Sequence, residues 1–575
     1  MIKPNKNKNG AVFIAALSIP VMWLGVIISN SKSVGDFMGR LNAPFSLYWN
    51  GKQSLRCILI MLIIYGFCIA LYYSQKGHKR IGEEHGSAKW GTPREIRTKY
   101  MDFKNPFNNA ILTQNTQIGM NGYKHKRNLN ILVVGGSGSG KTRFFAKPNI
   151  MQANCSYIIA DPKGEMLRSL APLFQAKGIP ITVLNLVDME QSDGYNPFRY
   201  LKSDIDAFKL ITNLIANTTP KNANKSDPFW EQSEKALLQA LVLYLLHEAP
   251  IYEQNFGMVM YLVENCATKE DENYQSPVDV LFEDLEKAKP KHIAVKQYKI
   301  FKQASGKTAK SILVSLAVRL STFNIPIFQH ITSYDNMDLG DLGEHRRAIF
   351  AVIPDNDTSF NYLVGMLYSQ AFQELYHKAD YEHNGRLPVH VRVMMDEFAN
   401  VALPDDFERI LATCRSREIS INIIIQNIAQ IKALFEKSWE NITGNCDTFL
   451  YLGGNEQSTY EYVSKLLGKE TIDTTTRGVT KGKSGSSSKN FQNTGRELLT
   501  PDEVRMLDNK YALLFLRGER PIIDNKYNIM QHPNVALTTD GGAEEVVREV
   551  KILPEISNDL SKNYSEREIQ IYEEI

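Results

Sequence analysis

The residues from Gly135 to Thr142 constrain this chain more than any other stretch. They read G-G-S-G-S-G-K-T, which matches the G-x-x-x-x-G-K-[ST] phosphate-binding loop of P-loop nucleotide hydrolases. The apolar run Asn130–Val134 before them is typical of a buried parallel strand, and the residues from Thr142 onward read as the start of a helix. A Gly/Ser-rich turn is the alternative, but the strand, the spacing and the K-T ending all agree. The stretch therefore predicts an α/β domain that binds a nucleotide.

Each part of this loop has an expected role. The glycines let the backbone bend so that successive N–H groups face the phosphates, and the helix that follows adds the partial positive charge of its N-terminus. We expect Lys141 to contact the β- and γ-phosphates and Thr142 to bind Mg²⁺. The predicted nucleotide-binding residues are Gly135, Gly136, Ser137, Gly138, Ser139, Gly140, Lys141 and Thr142.

Hydrolysis also needs a carboxylate for the metal and a group that orients the attacking water. The predicted strand Val389–Met395 runs directly into Asp396 and Glu397. We expect Asp396 to hold Mg²⁺ and Glu397 to polarise the water, whereas a helix cap is the alternative interpretation of this pair. Gln426 ends the next apolar strand and is a predicted sensor of the γ-phosphate, with an ordinary strand-end amide as the alternative.

Two arginines lie between these motifs, in the sequence Thr413–Arg417. We expect Arg415 to lie at the catalytic edge of the sheet and to act as an arginine finger on the nucleotide of a neighbouring subunit. A surface salt bridge is the alternative for both arginines, and it is the favoured interpretation for Arg417.

Two apolar runs precede the nucleotide-binding domain, at about 11–29 and 57–73, and each has about the length that spans a bilayer. A signal peptide is the alternative for the first run, but a second run follows it without a clear cleavage site. Basic residues outside the pair favour both termini in the cytoplasm, with 30–56 on the other side. We therefore expect a multi-pass anchor in the plasma membrane at 1–80 and a cytoplasmic nucleotide-binding domain.

Strand signals fall into two blocks, 81–220 and 325–540, and helical patterns fill 221–324 between them. This alternation predicts one parallel-sheet domain that an all-α insertion interrupts. An acidic tail is expected at 541–575. The Ser/Gly/Thr-rich stretch 474–496 carries five basic residues and no acid, and we expect a flexible loop that is either merely solvated or touches phosphates.

Charge and cysteine content exclude some other classes. The net charge of +3 over 575 residues gives no global polycation argument for nucleic-acid binding, so any such contact must be local. The six cysteines form no C-x-x-C pair, so neither a zinc site nor a disulfide framework is indicated.

Together these motifs resemble those of TraG/TraD-type coupling proteins of conjugative type IV secretion. The resemblance runs from about residue 10 to 535 and includes the two spans and the phosphate loop. It rests further on G-S-A-K-W-G at Gly86–Gly91, D-P-K-G-E at Asp161–Glu165, F-W-E at Phe229–Glu231, M-D-E-F at Met395–Phe398 and R-S-R-E-I-S to Q-N at Arg415–Asn427. It implies a RecA-like motor, interrupted by an all-α domain, that assembles as a membrane-anchored homo-hexamer and hydrolyses ATP with Mg²⁺.

The resemblance also implies a function, partners and site residues. Such a motor hands relaxase-bound single-stranded DNA to the secretion channel, so the implied partners are DNA, the relaxosome and type IV secretion channel proteins. The family pattern falls on Lys141, Thr142, Asp396, Glu397, Arg415 and Gln426.

Two other functions are alternatives to this one. A double-stranded DNA translocase of the FtsK/SpoIIIE type has more membrane spans and a C-terminal winged helix, for which the tail after Gly541 is too short. A nucleotide-regulated membrane scaffold would recruit secretion substrates without hydrolysis. Glu397 and Arg415 argue against the scaffold, because a protein that only binds nucleotide needs neither.

Overall fold

The structure is a computed structural model of the chain. It describes residues 7–42, 49–75, 82–219, 228–266, 275–304, 306–355, 357–404, 406–480, 486–546 and 548. The chain divides into two units, one formed by residues 1–87 and 470–496 and the other by residues 88–469 and 497–575.

Helices and short strands alternate along the described chain. The helices are α1 (Asn7–Asn30), α2 (Val34–Leu41), α3 (Gly51–Gln75), α4 (Pro93–Tyr100), α5 (Gly122–His125), α6 (Lys147–Ile150), α7 (Glu165–Ala176), α8 (Asp204–Thr218), α9 (Pro228–Glu248), α10 (Phe256–Glu264), α11 (Pro277–Ala288), α12 (Ile293–Lys302), α13 (Gly306–Leu320), α14 (Pro326–Ser333), α15 (Asn361–His377), α16 (Phe407–Thr413), α17 (Ile428–Phe435), α18 (Trp439–Gly444), α19 (Gln457–Leu467) and α20 (Pro501–Arg505). The strands are β1 (Asn109–Ile111), β2 (Gln117–Gly119), β3 (Ile131–Val134), β4 (Ser156–Pro162), β5 (Ile181–Asn185), β6 (Ala348–Ile353), β7 (Val391–Met395), β8 (Ile419–Ile425), β9 (Thr448–Tyr451), β10 (Lys469–Thr480), β11 (Ser486–Glu497), β12 (Tyr511–Leu516) and β13 (Ile522–Asn525).

In the first unit, α1 and α3 form an antiparallel helix pair, and each contains a segment long and apolar enough to cross a membrane. The helices approach closely at Gly25, where an added Cβ would lie 2.9 Å from the Cα of Ile58. The hydroxyls of Ser29 and Ser54 hydrogen-bond across the pair at 2.8 Å. Small residues and polar cross-links of this kind are typical of helices that associate within lipid. Both apolar runs predicted as spans are therefore helices, and the two helices pack as a pair.

The stretch predicted as a flexible loop at 474–496 contains strands instead. Strands β10 and β11 form a two-stranded sheet, and the hydroxyl of Thr474 donates a hydrogen bond to the carbonyl of Gln492 at 2.7 Å. β-Branched residues favour an extended backbone, and β10 contains several of them, so the Ser/Gly content was a misleading signal at this position. Residues 481–485 between the strands lie outside the described ones.

The second unit is built on one large sheet with the strand order β13-β12-β9-β3-β8-β7-β4-β6-β5. The strands from β9 to β5 pair in parallel, and β12 is antiparallel to both of its neighbours. The parallel strands all end at the same edge of the sheet, which we call the carboxyl edge. The opposite edge, where they begin, is the amino edge. Since β8 lies between β3 and β7, the two strands that lead into the predicted site motifs are separated by one strand.

Both faces of this sheet are covered, which is why its central strands are buried along their length. Leu132 and Val134 of β3 pack into one apolar cluster, together with side chains of α8, α9 and α15. The alternate residues Ile131 and Val133 pack into a second cluster on the other face. The strands predicted at Asn130–Val134, at Val389–Met395 and before Gln426 are present as β3, β7 and β8, whereas β1, β2 and β13 were not predicted.

The chain is helical between β5 and β6, from α8 to α14. Helices extend beyond both predicted bounds of the insertion, 221 and 324, and residues 220–227 are outside the described part, so these domain bounds stay a prediction. The bent helix pair Lys307–Asn324 and Pro326–Ser333 is also apolar enough to pass for a span. Its residues Leu316 and Phe328 are, however, completely buried in the helical core. The predicted acidic tail at 541–575 lies mostly outside the described residues.

Candidate active site

The phosphate loop follows β3 at the carboxyl edge, in the centre of the sheet. Gly138 and Gly140 have φ angles of +75° and +81°, which residues with a Cβ rarely adopt. At Gly135 an added Cβ would lie 2.4 Å from the Oγ of Ser139. The N–H of Gly135 donates to the carbonyl of Ile425 at 3.1 Å, so the loop is tied to the end of β8. Its shape therefore depends on these glycines.

The loop offers polar groups that the protein itself does not satisfy. The Oγ of Ser139 is buried and has no hydrogen-bond partner among the described residues. The Nζ of Lys141 donates to the carbonyl of Gly136 at 3.3 Å. Burial lowers the pKa of Lys141, while the carboxylates of Asp396 and Glu397 act in the opposite direction. A bound polyphosphate would supply acceptors to these donors and would favour the charged form of the lysine, so the loop fits a nucleotide.

A hydroxyl and a carboxylate face each other beside the loop. The Oγ1 of Thr142 donates to the Oδ2 of Asp396 at 2.7 Å, and Asp396 follows β7 with only 4% of its surface exposed. Burial raises the pKa of Asp396, and the Thr142 hydroxyl and the Lys141 ammonium lower it. Mg²⁺ prefers oxygen ligands and is usually bound by one or two carboxylates together with substrate phosphates. Thr142 and Asp396 therefore fit a magnesium site next to the phosphate loop.

Glu397 lies at the same edge and has an unusual backbone conformation. Its φ is +50°, which costs free energy for a non-glycine residue and is a recurrent feature of active sites. Its N–H donates to the Oδ1 of Asp396 at 3.1 Å, and its carboxylate accepts a bond from Asn400 at 3.3 Å. The side chain is half-buried and lines a small cavity with Asp355 and Asp396. This position leaves the carboxylate accessible to a water molecule.

Gln426 follows β8 and also lies at the carboxyl edge. The register pairs Val134 of β3 with Ile425 of β8, so Gln426 lies beside the start of the phosphate loop. Its side chain is half-buried. The structure thus brings together five of the predicted site residues, which are Lys141, Thr142, Asp396, Glu397 and Gln426.

Arg415 lies elsewhere, and its expected place at the catalytic edge was wrong. It is in a short 3₁₀ turn, Cys414–Arg417, directly before β8, so it lies at the amino edge. The length of β8, roughly 20 Å or more for seven residues, separates it from Gln426. The side chain is exposed, and its Nη2 donates to the carbonyl of Gly122 at 3.4 Å. Arg415 is therefore too far away to act on the nucleotide of its own subunit.

Arg417 is held in an ion pair, which confirms the alternative that was favoured for it. Its Nε and Nη2 donate to the two carboxylate oxygens of Asp380 at 2.9 and 2.7 Å. The guanidinium also lies 4.2 Å from the ring centroid of Tyr376. A bidentate pair with a stacked aromatic ring fixes an arginine side chain in place.

Sequence reasoning missed Asp161 as a member of this edge. Asp161 is 1% exposed, and it lies next to Asp396 because Ala160 of β4 pairs with Met395 of β7. It accepts the backbone N–H groups of Met166 and Leu167 at 3.1 and 2.7 Å, so it caps the start of α7. Burial raises its pKa to about 7. The signal that could have found it is an aspartate that directly follows an apolar strand, the same pattern that indicated Asp396.

Lys526 was also missed, because nothing local in the sequence indicates its position. It follows β13 at the carboxyl edge and is 7% exposed, and its Nζ donates to the carbonyl of Ser139 at 2.9 Å. Only the folding of the antiparallel end of the sheet brings it to the phosphate loop.

Comparison with known sequences gives one family match. Residues 89–540 match the family model described as type IV secretory system conjugative DNA transfer. The chain is 22% identical over 559 residues to the conjugal transfer protein TraG of Escherichia coli, a match that covers 87% of this chain and 86% of TraG. It is 20% identical over 400 residues to the protein VirD4 of Rhizobium radiobacter, covering 68% of this chain and 55% of VirD4.

Comparison with solved structures agrees with the sequence match. The unbound conjugative coupling protein TrwB superposes with a TM-score of 0.55 at 14% identity, over 77% of this chain and 93% of TrwB. TrwB in complex with ADP and Mg²⁺ gives a TM-score of 0.53 at 14% identity, over 76% and 92% of the two chains. At this identity the likeness shows the fold alone, and it confirms the predicted α/β class with a P-loop sheet and helical domains.

Proposed function

We propose a function from one premise: the chain belongs to the type IV secretory system conjugative DNA transfer family. The resemblance to coupling proteins that the sequence motifs indicated is thereby confirmed. In our proposal the chain is a membrane-anchored, ATP-driven coupling protein that delivers relaxase-bound single-stranded DNA to a type IV secretion channel. The observation that carries the proposal is the convergence of Lys141, Thr142, Asp396 and Glu397 at one edge of the sheet.

ATP and Mg²⁺ are the proposed cofactors. The related coupling protein TrwB has been solved with a non-hydrolysable ATP analogue and with ADP and Mg²⁺. In this chain the loop N–H groups and Lys141 would bind the phosphates, and Thr142 and Asp396 would hold the metal. When bound, Mg²⁺ neutralises charge on the β- and γ-phosphates.

The reaction proposed is transfer of the γ-phosphoryl group to water. Glu397 would orient the attacking water and accept its proton, which is the role of a positioned general base. Gln426 would contact the γ-phosphate from the end of β8. Because β8 joins Gln426 at the carboxyl edge to Arg415 at the amino edge, one buried strand links the sensor of one nucleotide to the finger proposed for the next.

We propose assembly as a homo-hexamer, and the position of Arg415 supports contact between subunits. A finger that lies far from its own nucleotide can act only on the nucleotide of another subunit, and head-to-tail contacts of this kind form a ring when the rotation between subunits closes. The exposed side chain of Arg415 suits such a contact, whereas Arg417 is fixed in its pair with Asp380. The ring size of six rests on the family resemblance.

The proposed membrane topology makes one prediction. With both termini in the cytoplasm, a cysteine placed at Ala43 should react with a membrane-impermeant maleimide in intact cells, and a cysteine placed at Ser87 should not. Ala43 lies outside the described residues, and the native Cys57 and Cys68 are first replaced by serine. Lysed cells provide the control, in which both positions should react. Labelling at Ser87 in intact cells would contradict the topology.

The proposed function itself is tested by measuring ATP hydrolysis by the full-length protein in detergent. We expect single-stranded DNA to stimulate turnover, because a motor that moves a polymer couples hydrolysis to contact with it. Stimulation by double-stranded DNA alone would favour a translocase of the FtsK/SpoIIIE type. ATP binding without hydrolysis, with or without DNA, would favour the scaffold.

A further inference from the structure

A buried lysine, Lys526, contacts the backbone of the phosphate loop. The Nζ of Lys526 donates to the carbonyl of Ser139 at 2.9 Å and to the Oδ1 of Asn509 at 2.7 Å. It also lies 5.5 Å from the ring centroid of Phe144. An ammonium group has three N–H donors, and only 7% of the residue is exposed. This lysine is therefore almost removed from water, while only two of its three N–H donors have a hydrogen-bond acceptor among the described residues.

The charge of Lys526 is not compensated by a carboxylate. In the part of the chain that the structure describes, no acidic oxygen lies within 4 Å of its Nζ. Asp508 is the one charged group that raises its pKa, and Asp508 is itself paired with Lys510 at 3.2 Å. Burial dominates and lowers the pKa of Lys526 to about 8. Burying an unpaired charge costs free energy. A buried lysine beside an anion-binding loop therefore indicates that a bound anion compensates its charge.

The chain that follows Lys526 is hydrogen-bonded to α6 with its C-cap and to α7, the helices that come after the phosphate loop. The side chain of Asn534 donates to the carbonyl of Met151 at 2.8 Å. The carboxylate of Asp540 accepts bonds from Lys147 at 3.1 Å and from Ser169 at 3.0 Å. The residues before Lys526 form strand β13, which is paired in the sheet. The contact with Ser139 is thus built into the fold on both sides.

We propose that Lys526 is a positioning residue of the phosphate loop, and that the polyphosphate of a bound nucleotide balances its buried charge. The peptide that joins Ser139 to Gly140 is planar, so its C=O and N–H point in opposite directions. A bond from Lys526 to this carbonyl fixes the orientation of the Gly140 N–H, one of the loop donors. The inference rests on the proposed nucleotide-binding function.

Proton uptake on nucleotide binding tests this proposal. A nearby polyphosphate favours the ammonium form, so binding raises the pKa of Lys526 above its value in the free protein. At pH 8 the free group is partly deprotonated, and binding should therefore take up as much as about half a proton. The measurement is calorimetric titration of the full-length protein with Mg·ADP at pH 8, in two buffers of different ionisation enthalpy.

Three variants separate the roles of charge, position and titration. Lys526→Arg keeps a charged donor that does not titrate, so it should bind Mg·ADP comparably to wild type and lose the part of the proton uptake that Lys526 contributes. Lys526→Met removes the charge and the bond and should bind about tenfold more weakly or worse. Lys104→Arg, at an exposed turn, is the matched control and should behave as wild type. Proton uptake by Lys141 would persist in every variant.

The pH dependence of affinity provides a second readout. The wild-type affinity for Mg·ADP should fall as the pH rises from 7 to 9, and Lys526→Met should lose most of this dependence. Equal proton uptake in wild type and Lys526→Arg, or an equal pH dependence in wild type and Lys526→Met, would overturn the proposal. Absence of Mg·ADP binding in the wild-type protein would instead contradict the proposed function.

Discussion

Replacing Glu397 with glutamine should leave ATP binding close to that of the wild-type protein and lower hydrolysis at least about a hundredfold. The amide keeps the size of the side chain and the bond from Asn400, but it cannot accept a proton from water. Removal of a general base typically costs a factor of about 10² to 10⁴ in rate. Equilibrium binding of ATP and the rate of phosphate release are the two measurements.

Lys141→Ala should have the opposite pattern, because it removes binding itself. The ammonium of Lys141 lies at the phosphate loop near Asp396 and Glu397, and its loss removes charge-assisted bonds to the phosphates. Glu283→Gln, an exposed change on α11, is the matched control and should leave both binding and turnover unaltered. Near-normal turnover in Glu397→Gln would make the assignment of the base wrong and would direct attention to the neighbouring carboxyl of Asp161.

Arg415→Ala should lower hydrolysis by about 10³-fold or more if the guanidinium acts as a finger on a neighbouring nucleotide. The expectation of a large effect follows from where the charge acts, which is on the γ-phosphate in the transition state. Among the described residues, the side chain of Arg415 makes one weak hydrogen bond, to the carbonyl of Gly122 at 3.4 Å. Loss of this one hydrogen bond would therefore not explain a large decrease in the rate of hydrolysis.

Mixed assemblies distinguish action between subunits from action within one. Subunits with Glu397→Gln keep their own finger but cannot hydrolyse ATP. Subunits with Arg415→Ala keep a complete hydrolytic site but cannot stimulate a neighbour. Next to a Glu397→Gln subunit, the site of an Arg415→Ala subunit regains a finger, so the mixture should hydrolyse ATP faster than either variant alone.

The control for this experiment is Arg417→Ala, which removes the ion pair with Asp380. Because the effect of that change is local, mixing it with Glu397→Gln should give no gain beyond dilution. If mixtures proven to co-assemble remain as inactive as the separate variants, Arg415 does not act between subunits.

Local patterns were enough to predict the centre of this molecule. The strands that lead into Lys141, Asp396 and Gln426 are short apolar runs that end in polar residues, and such runs are recognisable without any tertiary information. The carboxyl ends of parallel strands meet at one edge, so the prediction that these residues lie together also followed from the sequence.

What failed depended on contacts between distant segments. The place of Arg415 was wrong because the expectation used only its position between two site motifs, whereas a residue directly before a parallel strand lies at the amino edge. Lys526 was missed because it reaches Ser139 only through the pairing of β12 with β13. The stretch 474–496 was predicted as a flexible loop because its Ser/Gly content outweighed the β-branched residues of β10, which favour an extended backbone.

The claim that ATP hydrolysis at this site moves DNA is tested most directly by displacement of streptavidin. Full-length protein is loaded on single-stranded DNA that carries biotin-bound streptavidin at one end, with free biotin present as a trap. We predict that the wild-type protein displaces streptavidin only when ATP and Mg²⁺ are present, and that Glu397→Gln binds ATP and DNA without displacing it. Displacement at an equal rate without ATP, or its absence while DNA stimulates hydrolysis, would contradict the account.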